Sequence, residues 1–141
     1  MNIPSGLCLA ILTLWLVPWS SHADDITGHD RILCSVVQAT ECYAEGACTP
    51  GLPEDWNVPR FLEVDLAAGT VSTTIASGQQ RSSTMKNVER EGDRIFLQGV
   101  ESGRAFSAVL DQDSGTASIA IALERHVLAL FAYCTPLPAT H

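Results

Sequence analysis

Residues 94–134, RIFLQGVESGRAFSAVLDQDSGTASIAIALERHVLALFAYC, decide the fold. Apolar segments alternate here with short turn sequences at 101–103, 113–115 and 124–126. Segments of this length, rich in β-branched and aromatic residues and bounded by turn residues, predict β-strands. Parallel neighbours need long crossover connections, which these turns cannot provide. The stretch therefore predicts sequential antiparallel strands.

The same alternation extends toward the N-terminus, where Leu62, Val64 and Leu66 occupy one face of a predicted strand. The full set of predicted strands is 31–41, 61–66, 71–77, 84–90, 94–100, 105–111, 116–123 and 127–134. Such spacing indicates an all-β antiparallel meander of about eight strands, either a small β-barrel or a β-sandwich. In topology alone this is similar to the eight-stranded up-and-down barrels of lipocalins and streptavidin, and no site is carried over.

A short internal repeat supports the meander. Val64-Asp65-x-x-x-Gly69-Thr70-x-Ser72 recurs as Leu110-Asp111-x-x-x-Gly115-Thr116-x-Ser118. An Asp side chain accepts backbone N–H bonds in such a turn, and Gly adopts the positive φ that starts the return strand. We therefore expect the same hairpin twice, with a structural rather than a metal-binding role for Asp111 and Asp113.

The N-terminus has the pattern of a secretory signal peptide. Residues 1–23 contain no Asp, Glu, Lys or Arg, have an apolar centre at 7–17, and end with Ser21-His22-Ala23 before Asp24. The apolar centre is shorter than the roughly 20 residues that span a membrane. We expect export to a periplasm or the extracellular space, a single domain over 24–135 with a mobile polar lead at 24–30, and a flexible tail at 136–141.

The cysteines are expected to form disulfides. Cys8 would leave with the signal peptide, and four cysteines in an exported domain allow three pairings. We favour Cys42–Cys48, which closes a short loop, and Cys34–Cys134, which joins the first and last strands. In an even-stranded closed meander these two strands are neighbours. A zinc site is the weaker alternative, because the four cysteines lack the close pairs that structural zinc ligands form.

Composition and motifs limit the classes of function that the sequence supports. The net charge of −8 disfavours binding to nucleic acid or to an anionic membrane surface. No phosphate-binding loop, dinucleotide motif or G-x-S-x-G sequence occurs, so we predict no cofactor, no metal and no catalytic residue. His126 is the only credible general base, and we expect it to be an exposed turn residue. The pair Glu63 and Asp65 is expected on a solvated face.

The apolar faces suggest where a ligand or partner would bind. Phe106, Ala108 and Leu110 are expected to face inward. Both faces of the last strand are apolar; we expect the face that does not fill the core to lie under the Pro-rich segment around Trp56, or else to meet a partner. The small side chains of 115–123 would either leave room for a ligand or pack tightly against large neighbours.

The leading hypothesis is an exported, non-enzymatic binding or accessory protein for a small apolar molecule or a protein partner. An alternative is a secreted inhibitor or interaction module that uses the 42–48 loop and the Trp56 segment, with Tyr43 and Trp56 as its candidate partner surface. Such a loop is pre-organised, which lowers the ordering cost of binding. A minor hydrolase centred on His126 is the remote alternative.

Overall fold

The computed structural model describes residues 23–138. The predicted signal peptide up to residue 22, with Cys8, and residues 139–141 lie outside the described residues. The elements are β1 (Arg31–Tyr43), β2 (Cys48–Gly51), β3 (Phe61–Asp65), β4 (Thr70–Thr73), β5 (Ser82–Glu91), β6 (Arg94–Glu101), β7 (Arg104–Asp111), β8 (Thr116–Ala122), β9 (His126–Pro136) and two 3₁₀ helices, Pro53–Trp56 and Ile75–Ser77. No helix in this range is long and apolar enough to cross a membrane.

Eight antiparallel strands form a closed barrel. The order is β1-β3-β4-β5-β6-β7-β8-β9, and β9 pairs back with β1. This confirms the all-β meander and selects the barrel over the sandwich. The predicted strand at 71–77 ends early, at Thr73, because residues 75–77 form a 3₁₀ turn that Gly78 ends in the left-handed conformation. Its apolar Ile75 is 96% exposed and has no core to pack against.

Alternate residues of the barrel strands fill its interior. Inward positions such as Ile32, Ile95, Leu97, Leu110 and Leu130 are almost completely buried. Ala108 and Leu110 face inward as predicted, and Phe106 packs against the same core. Since buried apolar area is the main favourable term in folding, this alternation explains why the sheet closes on itself.

The outer face of β9 is uncovered. Phe131 and Tyr133 are 47% and 51% exposed, and Val127 is also exposed. The expectation that the Trp56 segment covers this face is wrong. That segment packs instead against β1 and β2, where a Cβ on Gly51 would overlap the Trp56 ring.

Two disulfides join directly opposed residues. Cys34 and Cys134 face each other across the β1–β9 seam and are buried, and Cys42 and Cys48 face each other across β1 and β2. These are the pairings favoured from the sequence. Disulfides persist in oxidising, non-cytoplasmic compartments, so the fold indicates such a setting.

Strand β1 changes partner halfway along its length. Residues 31–35 pair with β3 and residues 39–42 pair with β2, with a bulge between Val36 and Gln38. β2 was not predicted because its Cys-Thr-Pro-Gly sequence has no strand periodicity. Residues 52–60 then cross one end of the barrel before β3 begins. We call these residues the cover segment and this end the open end.

The opposite end is closed by the polar lead. Ile26 is fully buried there, and its N–H donates to the Gln112 carbonyl at 2.8 Å. The Arg90 guanidinium donates to the Gln112 side chain and to Asp30. The lead is therefore packed rather than mobile, because its one large apolar residue fills the barrel's end. At the other terminus Pro136 still pairs with Ile32, and the Leu137 N–H donates to the Arg31 carbonyl.

The repeated turn is the same hairpin twice. Asp65 Oδ1 accepts the Ala68 N–H at 2.8 Å, and Asp111 Oδ1 accepts the Ser114 N–H at 2.9 Å. Gly69 and Gly115 follow with φ of 66° and 63°. The two carboxylates thus hold their turns, as the shared spacing predicts.

Candidate functional site

A cavity of about 100 Å³ lies inside the barrel toward the open end. Its walls are mostly apolar inward side chains of β6, β7, β8 and β9, including Leu97, Phe106, Ala108, Ile119, Ile121 and Leu130. The small side chains of Ala108 and Ala117 stand among these large ones. The 115–123 stretch, expected either to leave space or to pack tightly, therefore borders an open volume.

The Phe106 ring packs against a glycine in the cavity wall. Gly99 lies directly opposite Phe106 in the β6–β7 pair, and a Cβ at Gly99 would overlap the ring. The ring therefore lies over the Gly99 backbone rather than extending across the barrel.

Three charged side chains form the cavity mouth. Arg81 Nε and Nη2 donate to Glu101 Oε1 at 3.1 and 3.0 Å. Arg104 Nη2 lies 3.7 Å from Glu101 Oε2. Glu101 and Arg104 are direct cross-strand partners at the ends of β6 and β7, where alternation continues the inward face of Leu97 and Phe106. We call Arg81, Glu101 and Arg104 the mouth triad.

The mouth triad also holds the cover segment. Arg81 Nη1 donates to the Asn57 carbonyl at 3.1 Å, and Asn57, Val58 and Pro59 line the cavity. Val58 is almost completely buried and its N–H donates to the Pro53 carbonyl. The cavity is therefore closed partly by a loop that is fixed to the barrel through Arg81.

A bidentate ion pair braces the cover segment from outside. Arg60 donates to both oxygens of Glu54, at 2.6 and 3.0 Å. The hydrogen bond from Arg60 lowers the pKa of Glu54 below its usual value. The ion pair thus joins the 3₁₀ helix of the cover segment to the residue that precedes β3.

A second polar cluster at the open end surrounds Glu41. Trp56 Nε1 donates to Glu41 Oε2 at 2.8 Å, and His126 Nε2 lies 3.3 Å from Glu41 Oε1. The Tyr43 and His126 rings are in contact, with centroids 5.4 Å apart. A hydrogen bond to Glu41 raises the pKa of the Tyr43 hydroxyl, and the negative charges of Glu41 and Glu45 add to the effect.

The structure brings Tyr43, Trp56 and His126 together around Glu41, although no sequence pattern groups all three. Tyr43 is 43% exposed, whereas Trp56 is half-buried against Gly51 and bonded to Glu41. His126 is not in an exposed turn: it is the first residue of β9, with 26% of its side chain exposed. Its position follows from register, because it pairs with Tyr43.

The His126 cluster lacks the parts of a nucleophilic triad. A serine nucleophile needs a base that is itself oriented by a third group. Within residues 23–138, the side-chain partners of His126 are Glu41 and Tyr43, and no serine hydroxyl bonds to its ring. In the same range no three His, Cys, Asp or Glu side chains are grouped as metal ligands.

Sequence reasoning missed Glu41 and the mouth triad. Strand alternation could have found Glu101 and Arg104, because each lies two residues beyond an inward position, Gly99 and Phe106. Nothing in the sequence marks Arg81, which lies in the β4–β5 loop. Glu63 and Asp65, which were expected on a solvated face, have separate roles: Glu63 lies 3.8 Å from Arg31, and Asp65 holds its turn.

No known protein-family model matches the chain, and no curated protein matches its sequence.

Proposed function

We propose that this chain is a non-enzymatic binding protein that holds a small apolar molecule inside its barrel. Export by the 1–23 signal peptide to a periplasm or the extracellular space is part of this proposal, and the two disulfides support it. The single observation that carries the binding proposal is the apolar cavity of about 100 Å³.

The cavity is costly if it has no occupant. Protein interiors are normally packed with few voids larger than a water molecule. At about 24 cal/mol per Å³, an enclosed void of 100 Å³ costs a fold about 2 kcal/mol, which is the upper limit for this cavity because it has a mouth. A ligand that fills it recovers this free energy, which gives an apolar molecule a reason to bind there.

The size of the cavity limits the ligand. A cavity of about 150 Å³ lined by aliphatic and aromatic side chains accommodates benzene. The volume here is somewhat smaller. We therefore expect a small ring or a short chain of about four to six carbons rather than a long acyl chain.

A titration with 1-hexanol followed by amide chemical shifts tests the proposal. Ala108→Leu adds volume at the cavity wall and should weaken hexanol binding at least about tenfold while leaving stability equal or higher. Ala105→Leu is the matched control, because Ala105 is exposed on the outer face of the same strand. We expect that variant to bind hexanol like the unmodified protein.

Two outcomes would contradict the proposal. One is the absence of hexanol-dependent shifts at cavity residues such as Leu97 and Ile119. The other is equal binding by the Ala108→Leu and Ala105→Leu variants. Native mass spectrometry of protein purified from its own host measures the mass of the natural ligand. We expect a small adduct that is lost when the protein unfolds.

A protein-interaction module is the second candidate. The disulfide-closed 42–48 loop supports it, because the Tyr43 N–H donates to the Ala47 carbonyl and the Tyr43 side chain is exposed. Trp56 supports it less, since its indole is already bonded to Glu41. Loss of partner capture on Tyr43→Ala, with hexanol binding unchanged, would favour this candidate.

A further inference from the structure

We propose that the ligand is a short apolar carboxylate, with its anionic group bound at Arg104 in the mouth and its tail in the cavity. This inference rests on the proposed function and specifies the chemical class of the ligand. It follows from the charge of the mouth, the free donors of Arg104 and the apolar walls beneath them.

The mouth is locally positive in an acidic protein. The whole chain carries a net charge of −8 with only eight Lys and Arg residues. Two of these, Arg81 and Arg104, line the cavity, together with a single carboxylate, Glu101. One net positive charge therefore lies where a ligand would enter, against the sign of the rest of the molecule.

The two guanidinium groups are not equivalent. Arg81 makes three hydrogen bonds, two to Glu101 and one to the Asn57 carbonyl, and these fix its guanidinium in place. Arg104 approaches Glu101 only to 3.7 Å, which is an ion pair without a hydrogen bond. A guanidinium has five N–H donors in a planar fork that matches a carboxylate. Arg104 is thus the group with capacity for a second anion.

The donors of Arg104 remain open to a ligand although the side chain is mostly buried. Its side chain is 20% exposed. Among the described residues no buried side-chain nitrogen or oxygen lacks a partner, so water reaches the donors that make no bond. An entering carboxylate would replace that water in a partly desolvated site, where charge-assisted bonds are strong.

The inner face of β7 offers one site for the ligand's carboxylate and another for its apolar tail. Arg104, Phe106 and Ala108 alternate along the inner face of the strand, from the rim into the cavity. A molecule with its carboxylate at Arg104 therefore places its tail directly beside Phe106 and Ala108. A cationic ligand has no comparable site here, because Glu101 already lies between two guanidinium groups.

The test compares hexanoate, 1-hexanol and hexylammonium, which share one tail, by chemical-shift titration at neutral pH. A hydrogen bond to a charged group changes affinity by about tenfold or more, so we expect hexanoate to bind at least about tenfold more tightly than hexanol, and hexylammonium more weakly. Arg104→Met should remove the preference for the anion, so that this variant binds hexanoate no more tightly than hexanol.

Arg125→Met is the matched control. Arg125 lies near the same end of the barrel, is 80% exposed and does not line the cavity. It removes the same charge from the chain, so an equal loss of hexanoate affinity in both variants would show general attraction and overturn the assignment to Arg104.

The unmodified protein alone separates the two proposals. If hexanol binds in the cavity and hexanoate binds no more tightly, the anionic ligand is ruled out and the binding function stands. If none of the three probes binds, the binding function fails as well.

Discussion

The absence of a side chain at Gly99 allows the Phe106 ring to lie where it does in the barrel. A Cβ there would overlap the Phe106 ring, so Gly99→Ala forces the ring or the strand to move. We expect a loss of about 1–3 kcal/mol in the free energy of unfolding, measured by chemical denaturation. In a Phe106→Leu background the same substitution should cost clearly less. An equal loss in both backgrounds would contradict this contact.

Asp111 gives the fold part of its pH dependence. Two hydrogen bonds from Ser114, at 2.7 Å from Oγ and 2.9 Å from the backbone N–H, lower the pKa of Asp111 from its usual value of 3.8. A carboxyl whose pKa falls on folding stabilises the fold when ionised. That stabilisation is present above the unfolded-state pKa and is lost as the pH falls through the folded-state pKa.

We therefore expect Asp111→Asn to lose less stability than the unmodified protein as the pH falls from about 6 to about 3. Urea unfolding midpoints across this range measure it. Asp113→Asn is the control, because it removes a carboxylate of the same turn that Ser114 does not bond. If Asp113→Asn reduces the acid dependence as much as Asp111→Asn does, the assignment to Asp111 is wrong.

At the level of single residues, the sequence predicted the turns better than it predicted the polar groups of the candidate site. The roles of Asp65 and Asp111 followed from their spacing to Gly69 and Gly115, because such bonds are local. Glu41 could not be found in this way. Its contacts with Trp56 and His126 depend on the β1–β9 register and on the path of the cover segment.

Among the elements, the lead at 24–30 differs most from its prediction. Ile26→Ala removes a fully buried side chain at the closed end, and we expect it to cost about 2–5 kcal/mol in the free energy of unfolding. Thr27→Ala is the control, since Thr27 is exposed and should change stability by less than about 0.5 kcal/mol. A similar small effect for both would show that the lead does not contribute to the core.

Most strands of the barrel were predictable because they combine apolar segments with turn residues at both ends. The lead was not, because a single Ile among polar residues has no periodicity. β2 was missed for a related reason: its Cys-Thr-Pro-Gly sequence pairs only because β1 extends beyond β3 and Cys42 is bonded to Cys48. Both elements depend on tertiary contacts rather than local pattern.

Across the whole molecule, the seam disulfide should matter more than the loop disulfide. Cys34 and Cys134 are separated by 100 residues in sequence, and chain-entropy arguments give such a crosslink about 4–5 kcal/mol. Cys42 and Cys48 are separated by 6, for which the same argument gives about 2 kcal/mol. We expect the Cys34→Ala/Cys134→Ala variant to unfold at clearly lower denaturant than Cys42→Ala/Cys48→Ala. Equal midpoints would contradict this account of closure.

The choice between barrel and sandwich could not be made from the sequence, because both arrangements use the same alternating strands. It depends on whether β9 pairs with β1, a contact between the two ends of the described chain. The favoured Cys34–Cys134 pairing was the one feature of the sequence that pointed to closure. The cavity also depends on closure, since its walls come from strands on several sides of the barrel.

Intermolecular nuclear Overhauser effects between bound 1-hexanol and protein methyl groups test the central claim most directly, because they locate the ligand. We predict contacts with Leu97, Ile119 and Leu130 inside the barrel and none with the exposed outer side chain of Val127. Contacts confined to Val127 and its outer-face neighbours, with none to the interior methyl groups, would contradict the account.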